Sequence, residues 1–216
     1  MTTALITGAS KGLGLALARA LAGEGWDLVL DARDGAALRR SAPAGALLVP
    51  GDVSDPAHRA DLLAAVAGPL DLLVNNASRL GPSPQPMLAD YPLEELRQVL
   101  EVDLIAPLAL IQLLRPAMVV NVSSDAAVEA YAGWGGYGAA KAGLDHLTAV
   151  LAEEQPTTRV LAFDPGDMRT DLHQAAFPGE DISDRPRPES VVPAFLRLLD
   201  LPSGRYRAAD LLPVAV

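Results

Sequence analysis

The first twenty-five residues constrain the fold more than any other stretch. Thr2 to Thr7 reads as a short apolar strand and runs directly into Gly8-Ala9-Ser10-Lys11-Gly12-Leu13-Gly14. The helical pattern LALARALAGEG follows and closes at Gly23 or Gly25. A strand, a glycine-rich turn and a helix N-terminus together make a phosphate cradle. Bare backbone can approach the anion, while amide N–H groups and the helix dipole point at it. The spacing here is G-x-x-x-G-x-G, which differs from the G-x-G-x-x-G dinucleotide fingerprint.

The rest of the chain repeats the alternation of strand and helix. Further strands are expected at Trp26–Leu30, Ala46–Val49, Leu70–Val74, Val119–Val122, Arg159–Phe163 and, last, Ala208–Val214. Ser54 or Asp55 is expected to cap a helix with Pro56 at its first position. A long helix from Leu93 to Leu114 is expected to bend at Pro107, and another to end near Glu154, with a final one over Glu189–Leu199. Arg79 to Pro92 holds four prolines and reads as a loop. Leu172 to Pro188 lacks periodicity and reads as a flexible substrate lid, at about 171–188. This pattern predicts one α/β domain over residues 1–216, a Rossmann-type doubly wound parallel sheet. Ligands of such sheets bind at the C-terminal strand ends. Every motif singled out here lies at such an end.

Composition narrows the function. The net charge is −10 over 216 residues, with no basic stripe, which argues against nucleic acid and against an anionic membrane surface. No apolar run reaches transmembrane length, and the N-terminus lacks a signal pattern, so a cytoplasmic protein is expected. There is no cysteine, which removes disulfides, thiolate metal sites and thiol catalysis. His58, His146 and His173 lie far apart, so no metal site is expected.

The chemistry concentrates in Val119 to Lys141. A buried strand breaks at Ser123-Ser124, and a glycine-rich loop leads to a helix carrying Tyr137 and Lys141. Four residues apart, these share one helix face. A free phenol has a pKa of about 10, too high for easy proton transfer near neutrality. An ammonium at about 4 Å would supply roughly 4 kcal/mol, or about three pKa units, and bring the phenol near pH 7. Ser124 can place a hydroxyl beside it. The bland alternative is a decorated helix surface. Against it, the neighbours Gly138, Ala139, Ala140, Ala142 and Gly143 are all small, and Tyr131 has Gly135 where a lysine would stand. The chain also has 15 arginines but only two lysines, Lys11 and Lys141. Where arginine is the default cation, a lysine points to a need for a compact ammonium. At the end of the second strand, Asp31 and Arg33 give mixed signals: an acid can bind a ribose 2′-OH, an arginine a 2′-phosphate.

Taken together these residues resemble the short-chain dehydrogenase/reductase family, in its compact single-domain branch, over nearly the whole chain. The likeness rests on Thr7-Gly8-Ala9-Ser10-Lys11-Gly12-Leu13-Gly14, on Asp52-Val53, and on Asn75-Asn76-Ala77. It rests equally on Ser124, Tyr137 and Lys141, and on Pro165-Gly166 with Met168 and Thr170. It implies hydride transfer between a nicotinamide cofactor and a small carbonyl or secondary alcohol. Tyr137 would exchange a proton with the substrate oxygen, Lys141 would hold the nicotinamide ribose, and Ser124 would orient the carbonyl. Gly8, Ser10, Lys11, Gly12, Leu13, Gly14, Arg33, Asp52, Val53, Asn75, Ala77, Pro165, Gly166, Met168 and Thr170 would bind the cofactor, along with Tyr137 and Lys141. In the family an acid at the position of Ala32 selects NAD. Its absence, with Arg33 and Lys11 present, favours NADP(H), with NAD(H) as the alternative.

Three departures stand out. The family asparagine that holds a relay water is Asp103 here, in the catalytic set but adding negative charge near Lys141. The N-N-A-G motif ends in Ser78. The chain is short around Arg115-Pro116-Ala117-Met118, next to the helices through which relatives form homodimers or homotetramers. Retention of Ser124, Tyr137 and Lys141 favours an enzyme, while Asp103 keeps open a non-catalytic dinucleotide sensor or scaffold. A nucleotide-sugar epimerase or dehydratase fits poorly, since such chains are longer and carry a different glycine spacing.

Overall fold

The computed structural model describes residues 2–212. Strands β1 (Thr3–Ile6), β2 (Asp27–Ala32), β3 (Leu47–Pro50), β4 (Leu72–Asn75), β5 (Met118–Val122), β6 (Arg159–Asp164) and β7 (Gly204–Arg207) form one sheet. Their order is β3-β2-β1-β4-β5-β6-β7, and every neighbouring pair is parallel. The chain winds outward in both directions from β1 and β4, which opens the topological switch point between them.

Alternation along the strands sorts the core into two layers. Ile6, Val74 and Phe163 face helices α1 (Gly12–Gly23) and α8 (Val192–Leu198), where they meet Leu17, Leu21 and Phe195. Leu5, Leu73 and Val119 face α3 (Pro56–Ala65) and α5 (Ala106–Leu114), where they meet Leu62, Leu110 and Ile111. With both faces covered, the strands read as apolar runs rather than alternating ones, as parallel sheets require. Asp55 caps α3 by accepting from the Ala57 amide at 2.8 Å. Helix α2 (Gly35–Ser41), not anticipated from the sequence, is capped likewise by Asp34, which accepts from the Ala37 amide.

Four elements differ from expectation. Helix α1 starts at Gly12, inside the glycine turn, rather than after it. The expected helix from Leu93 to Leu114 is α4 (Leu93–Leu100), a π-helical turn over Glu101–Ile105, and α5. The irregular turn, where the Ala106 amide bonds Glu101 O, lies just ahead of Pro107. An inserted residue in the ladder bends a helix in its own right. The last strand is Gly204–Arg207, and Ala208–Leu211 is helix α9. Residues 213 and 214 of the expected strand lie outside the described residues. The true β7 is a half-exposed edge strand carrying Arg205 and Tyr206, so it offers no apolar run to detect. Finally, the segment 171–188 contains helix α7 (Asp171–Ala176), whose first turn is capped by Thr170 accepting from the His173 amide. Six helical residues are too few to show a period.

Candidate active site

A single cleft runs across the C-terminal ends of the strands. Its walls include Gly8, Ser10, Lys11, Gly12, Leu13, Arg33, Asp52, Val53 and Ala77, then Ser124, Tyr137, Lys141, Pro165, Gly166, Met168 and Thr170. Most of the expected site residues therefore meet, although they come from seven separate segments. Three do not reach the wall. Gly14 packs beneath the turn: a Cβ there would stand 2.6 Å from Gly8 O and 2.5 Å from Asn76 Nδ2. Asn75 is turned into the sheet by strand alternation, where its Nδ2 donates to Asn121 Oδ1 at 2.8 Å. Asp103 is fully buried behind Lys141.

The glycine turn is braced from β4. Asn76 Nδ2 donates to the carbonyls of Thr7 and Gly8, and Thr7 Oγ1 accepts from the Asn76 and Ala77 amides. Gly8 has φ +67°, and a Cβ there would come within 2.9 Å of Ala77 Cα, so both conformation and space demand glycine. Lys11 stands at the start of α1 with no side-chain cap. The amides of the first turn are thereby left without a side-chain acceptor, as an anion site needs. This backbone fits a dinucleotide pyrophosphate.

Asp31, ambiguous from sequence, is committed elsewhere. It is buried and accepts from the Gly8 amide at 3.4 Å, while His58 Nε2 lies 2.7 Å from its other oxygen. Burial, opposed by His58, raises its pKa to about 6. No sequence signal ties residue 58 to residue 31. Lys11, expected beside a 2′-phosphate, lines the cleft and pairs with Asp171 at 2.6 Å. It links the glycine turn to α7.

At the other end of the cleft, Tyr137 and Lys141 share the buried face of α6 (Gly135–Glu154). The small residues around them admit close neighbours. A Cβ on Gly138 would lie 2.7 Å from Ala126 O, and one on Gly136 would strike the Tyr91 ring. Trp134 meets Tyr137 edge-on at 5.8 Å. Lys141 Nζ donates to Val122 O at 2.9 Å, lies 3.1 Å from Asp103 Oδ1 and stands 5.5 Å from the Tyr137 ring centroid. Ser124 Oγ donates to Asp125 Oδ1 at 2.9 Å, and Ser78 Oγ donates to Asp103 Oδ1.

One expectation is overturned. The Tyr137 pKa lies above the ordinary phenol value, not near neutrality. Burial is the largest cause, and the Asp103 carboxylate opposes Lys141. Lys141 is likewise raised: burial works to lower it, but Asp103 and Tyr137 outweigh that. Burial and the Asp103 carboxylate, neither of which the Tyr137–Lys141 spacing encodes, outweigh the ammonium. Sequence reading also missed Ser78, Asp125 and Arg205, whose guanidinium bonds Asp145, Asp164 and Ser124 O behind the site. Ser78 could have been found, because it was already visible as a departure in the N-N-A motif.

A family model described as short chain dehydrogenase matches residues 2–181. Rat (Rattus norvegicus) sepiapterin reductase is 35% identical over 199 residues, covering 80% of this chain and 76% of its own. An Escherichia coli CFT073 protein classed with the short chain dehydrogenases, complexed with NADPH, superposes with a TM-score of 0.86. It is 26% identical and covers 96% of each chain. An alcohol dehydrogenase from the archaeon Thermococcus sibiricus, complexed with 5-hydroxy-NADP, gives a TM-score of 0.83 at 27% identity. That match covers 96% of this chain and 95% of the other.

Proposed function

The chain belongs to the short chain dehydrogenase family, and from that premise we propose that it reduces small carbonyls, or oxidises the matching secondary alcohols, with NADP(H) as cofactor. The observation that carries this reading is the meeting of Tyr137, Lys141 and Ser124 with the glycine cradle in one cleft. The E. coli relative complexed with NADPH supports the cofactor.

The dinucleotide would lie with its pyrophosphate against Gly12 and Leu13 and its nicotinamide toward Pro165, Gly166, Met168 and Thr170. Its adenine would pass Asp52 and Val53. Arg33 is exposed on the cleft wall and would meet a 2′-phosphate. Asp31, sequestered by His58 and Gly8, would not offer its carboxylate to a ribose 2′-OH. Bound there, the cofactor supplies the hydride. Tyr137 exchanges the proton with the substrate oxygen, Ser124 orients that oxygen, and Lys141 holds the ribose and stabilises negative charge on the phenol. The segment 171–188 serves as the lid that selects the substrate, latched to the glycine turn through Lys11 and Asp171. A sensor without turnover has no observation in its favour.

The protein is read as a cytoplasmic homodimer or homotetramer. Among the described residues no helix is long and apolar enough to cross a membrane, and Ile105 and Leu113 stand exposed along the α5 region. A light-scattering mass equal to one chain would contradict the oligomer. Fluorescence titration with NADPH and NADH, then turnover on a carbonyl panel, tests the whole reading. Tighter binding of NADPH, lost in Arg33→Ala, with turnover, is expected. No turnover on any carbonyl or alcohol would refute it.

A further inference from the structure

The hydroxyl of Ser124 has little freedom left. A serine oxygen has one proton to give and two lone pairs to accept with. Ser124 Oγ gives its proton to Asp125 Oδ1 at 2.9 Å and accepts from the Ala126 amide at 3.2 Å. The same amide bonds Asp125 Oδ1 at 2.8 Å, which holds the carboxylate against the serine. The other carboxylate oxygen, Oδ2, accepts from the Tyr131 hydroxyl at 3.2 Å. The backbone is fixed as well: Arg205 donates to Ser124 O at 3.0 Å, and Ala126 O packs against Gly138. The single Ser124 proton is thus spent on Asp125, and what remains on Oγ is acceptor capacity. Ser124, Asp125 and Tyr137 all line the cleft. A carbonyl oxygen only accepts, so toward it the site has one donor, the Tyr137 hydroxyl. An alcohol oxygen accepts and also donates, so it can take a bond from Tyr137 and give one to Ser124.

We propose that Asp125 is a positioning residue that turns Ser124 into a hydrogen-bond acceptor, so that the site holds the alcohol form of its substrate more tightly than the carbonyl form. The proposal rests on the oxidoreductase reading above and adds to it the direction of the bond at Ser124. Asp125 acts only through the serine proton. A carboxylate outcompetes a neutral carbonyl for that proton, because a charged acceptor makes the stronger bond. Tyr131 is exposed and has no lysine at helical spacing, yet it has a place here as the group that steadies Asp125. In reduction the product alcohol is then the better-held partner, and its release competes with the incoming carbonyl.

The test reads binding in complexes that cannot react. Alcohol is titrated into the protein with NADPH and followed by cofactor fluorescence. Ketone is titrated into the protein with NADP+ and followed by protein fluorescence. The probes are cyclohexanol and cyclohexanone, or the pair of the carbonyl panel that turns over fastest. In the native protein the alcohol is expected to bind about tenfold tighter. Asp125→Ala frees the serine proton for a carbonyl, so the ketone Kd is expected to fall about tenfold while the alcohol Kd stays within about twofold. Asp125→Asn keeps an acceptor oxygen for Ser124 Oγ and the Ala126 amide, and is expected to keep most of the native preference. A merely structural role would weaken both ligands together. That result, a ratio unmoved by Asp125→Ala, or a ratio moved as far by Asp125→Asn would overturn the role of Asp125. If the native protein turns over no carbonyl or alcohol, the oxidoreductase reading fails and the inference falls with it; turnover with an unmoved ratio removes the inference alone.

Discussion

At the scale of single residues, Tyr137 shows how an environment rewrites a local argument. One ammonium beside a phenol in a half-wet setting lowers its pKa, yet here the ammonium already faces Asp103 and the phenol is buried. Desolvation then dominates and the hydroxyl keeps its proton in the cofactor-free state. Such a group serves better as a proton donor to a carbonyl than as a ready base. The first prediction follows at this scale. Tyr137→Phe removes only the hydroxyl, so turnover is expected to fall by at least about a hundredfold while NADPH affinity by fluorescence stays within about twofold. Retained activity would discard the assignment. Asp103→Asn removes a nearby negative charge, so the Tyr137 pKa is expected to fall. Ultraviolet difference titration of tyrosine ionisation, with the Tyr137→Phe curve subtracted, would register this as a shift to lower pH.

At the scale of elements, the site depends on close approach. The turn carrying Ser124 sits on α6 at Gly138, where a Cβ would lie 2.7 Å from Ala126 O, a backbone atom with little room to retreat. Gly138→Ala is therefore expected to destabilise the fold by about 1–3 kcal/mol, seen in chemical denaturation, and to lower kcat as Ser124 shifts. By contrast, Arg115 ends α5 in the left-handed region at φ 45° and is exposed. Arg115→Gly relieves that conformation and is expected to stabilise by up to about 1 kcal/mol with activity unchanged. Loss of stability would show that the Arg115 side chain matters more than its backbone. The π-helical turn belongs at this scale too: it carries Asp103 to Lys141, and nothing in the local pattern around Pro107 announces it.

At the scale of the whole molecule, Asp31 and His58 join the strand end, the glycine turn and α3 into one buried unit. Unfolded, Asp31 titrates near its ordinary 3.8; folded, it does so at about 6. Between these values the folded chain holds a proton that the unfolded chain has released. The contribution of Asp31 to stability is thus greatest below pH 4 and falls as pH rises through about 6, by at most about 3 kcal/mol. Denaturation midpoints measured from pH 4 to 7.5 should lose that slope in Asp31→Asn; an unchanged slope would locate it elsewhere. The doubly wound sheet was legible from the sequence because each buried strand is an apolar run and each glycine turn marks where a strand gives way to a helix. Ser124, Tyr137, Lys141 and the glycine turn were legible because strand ends of a parallel sheet all point to one edge. The chain alone thus determined the layers, the cleft and most of the residues that reach it. Tertiary structure alone decided the pairing of residues far apart in sequence: His58 with Asp31, Lys11 with Asp171, Ser78 with Asp103. Those pairings set which charges are free and which are spent, because charge balance in a buried site depends on distance through space, and no sequence period encodes that distance.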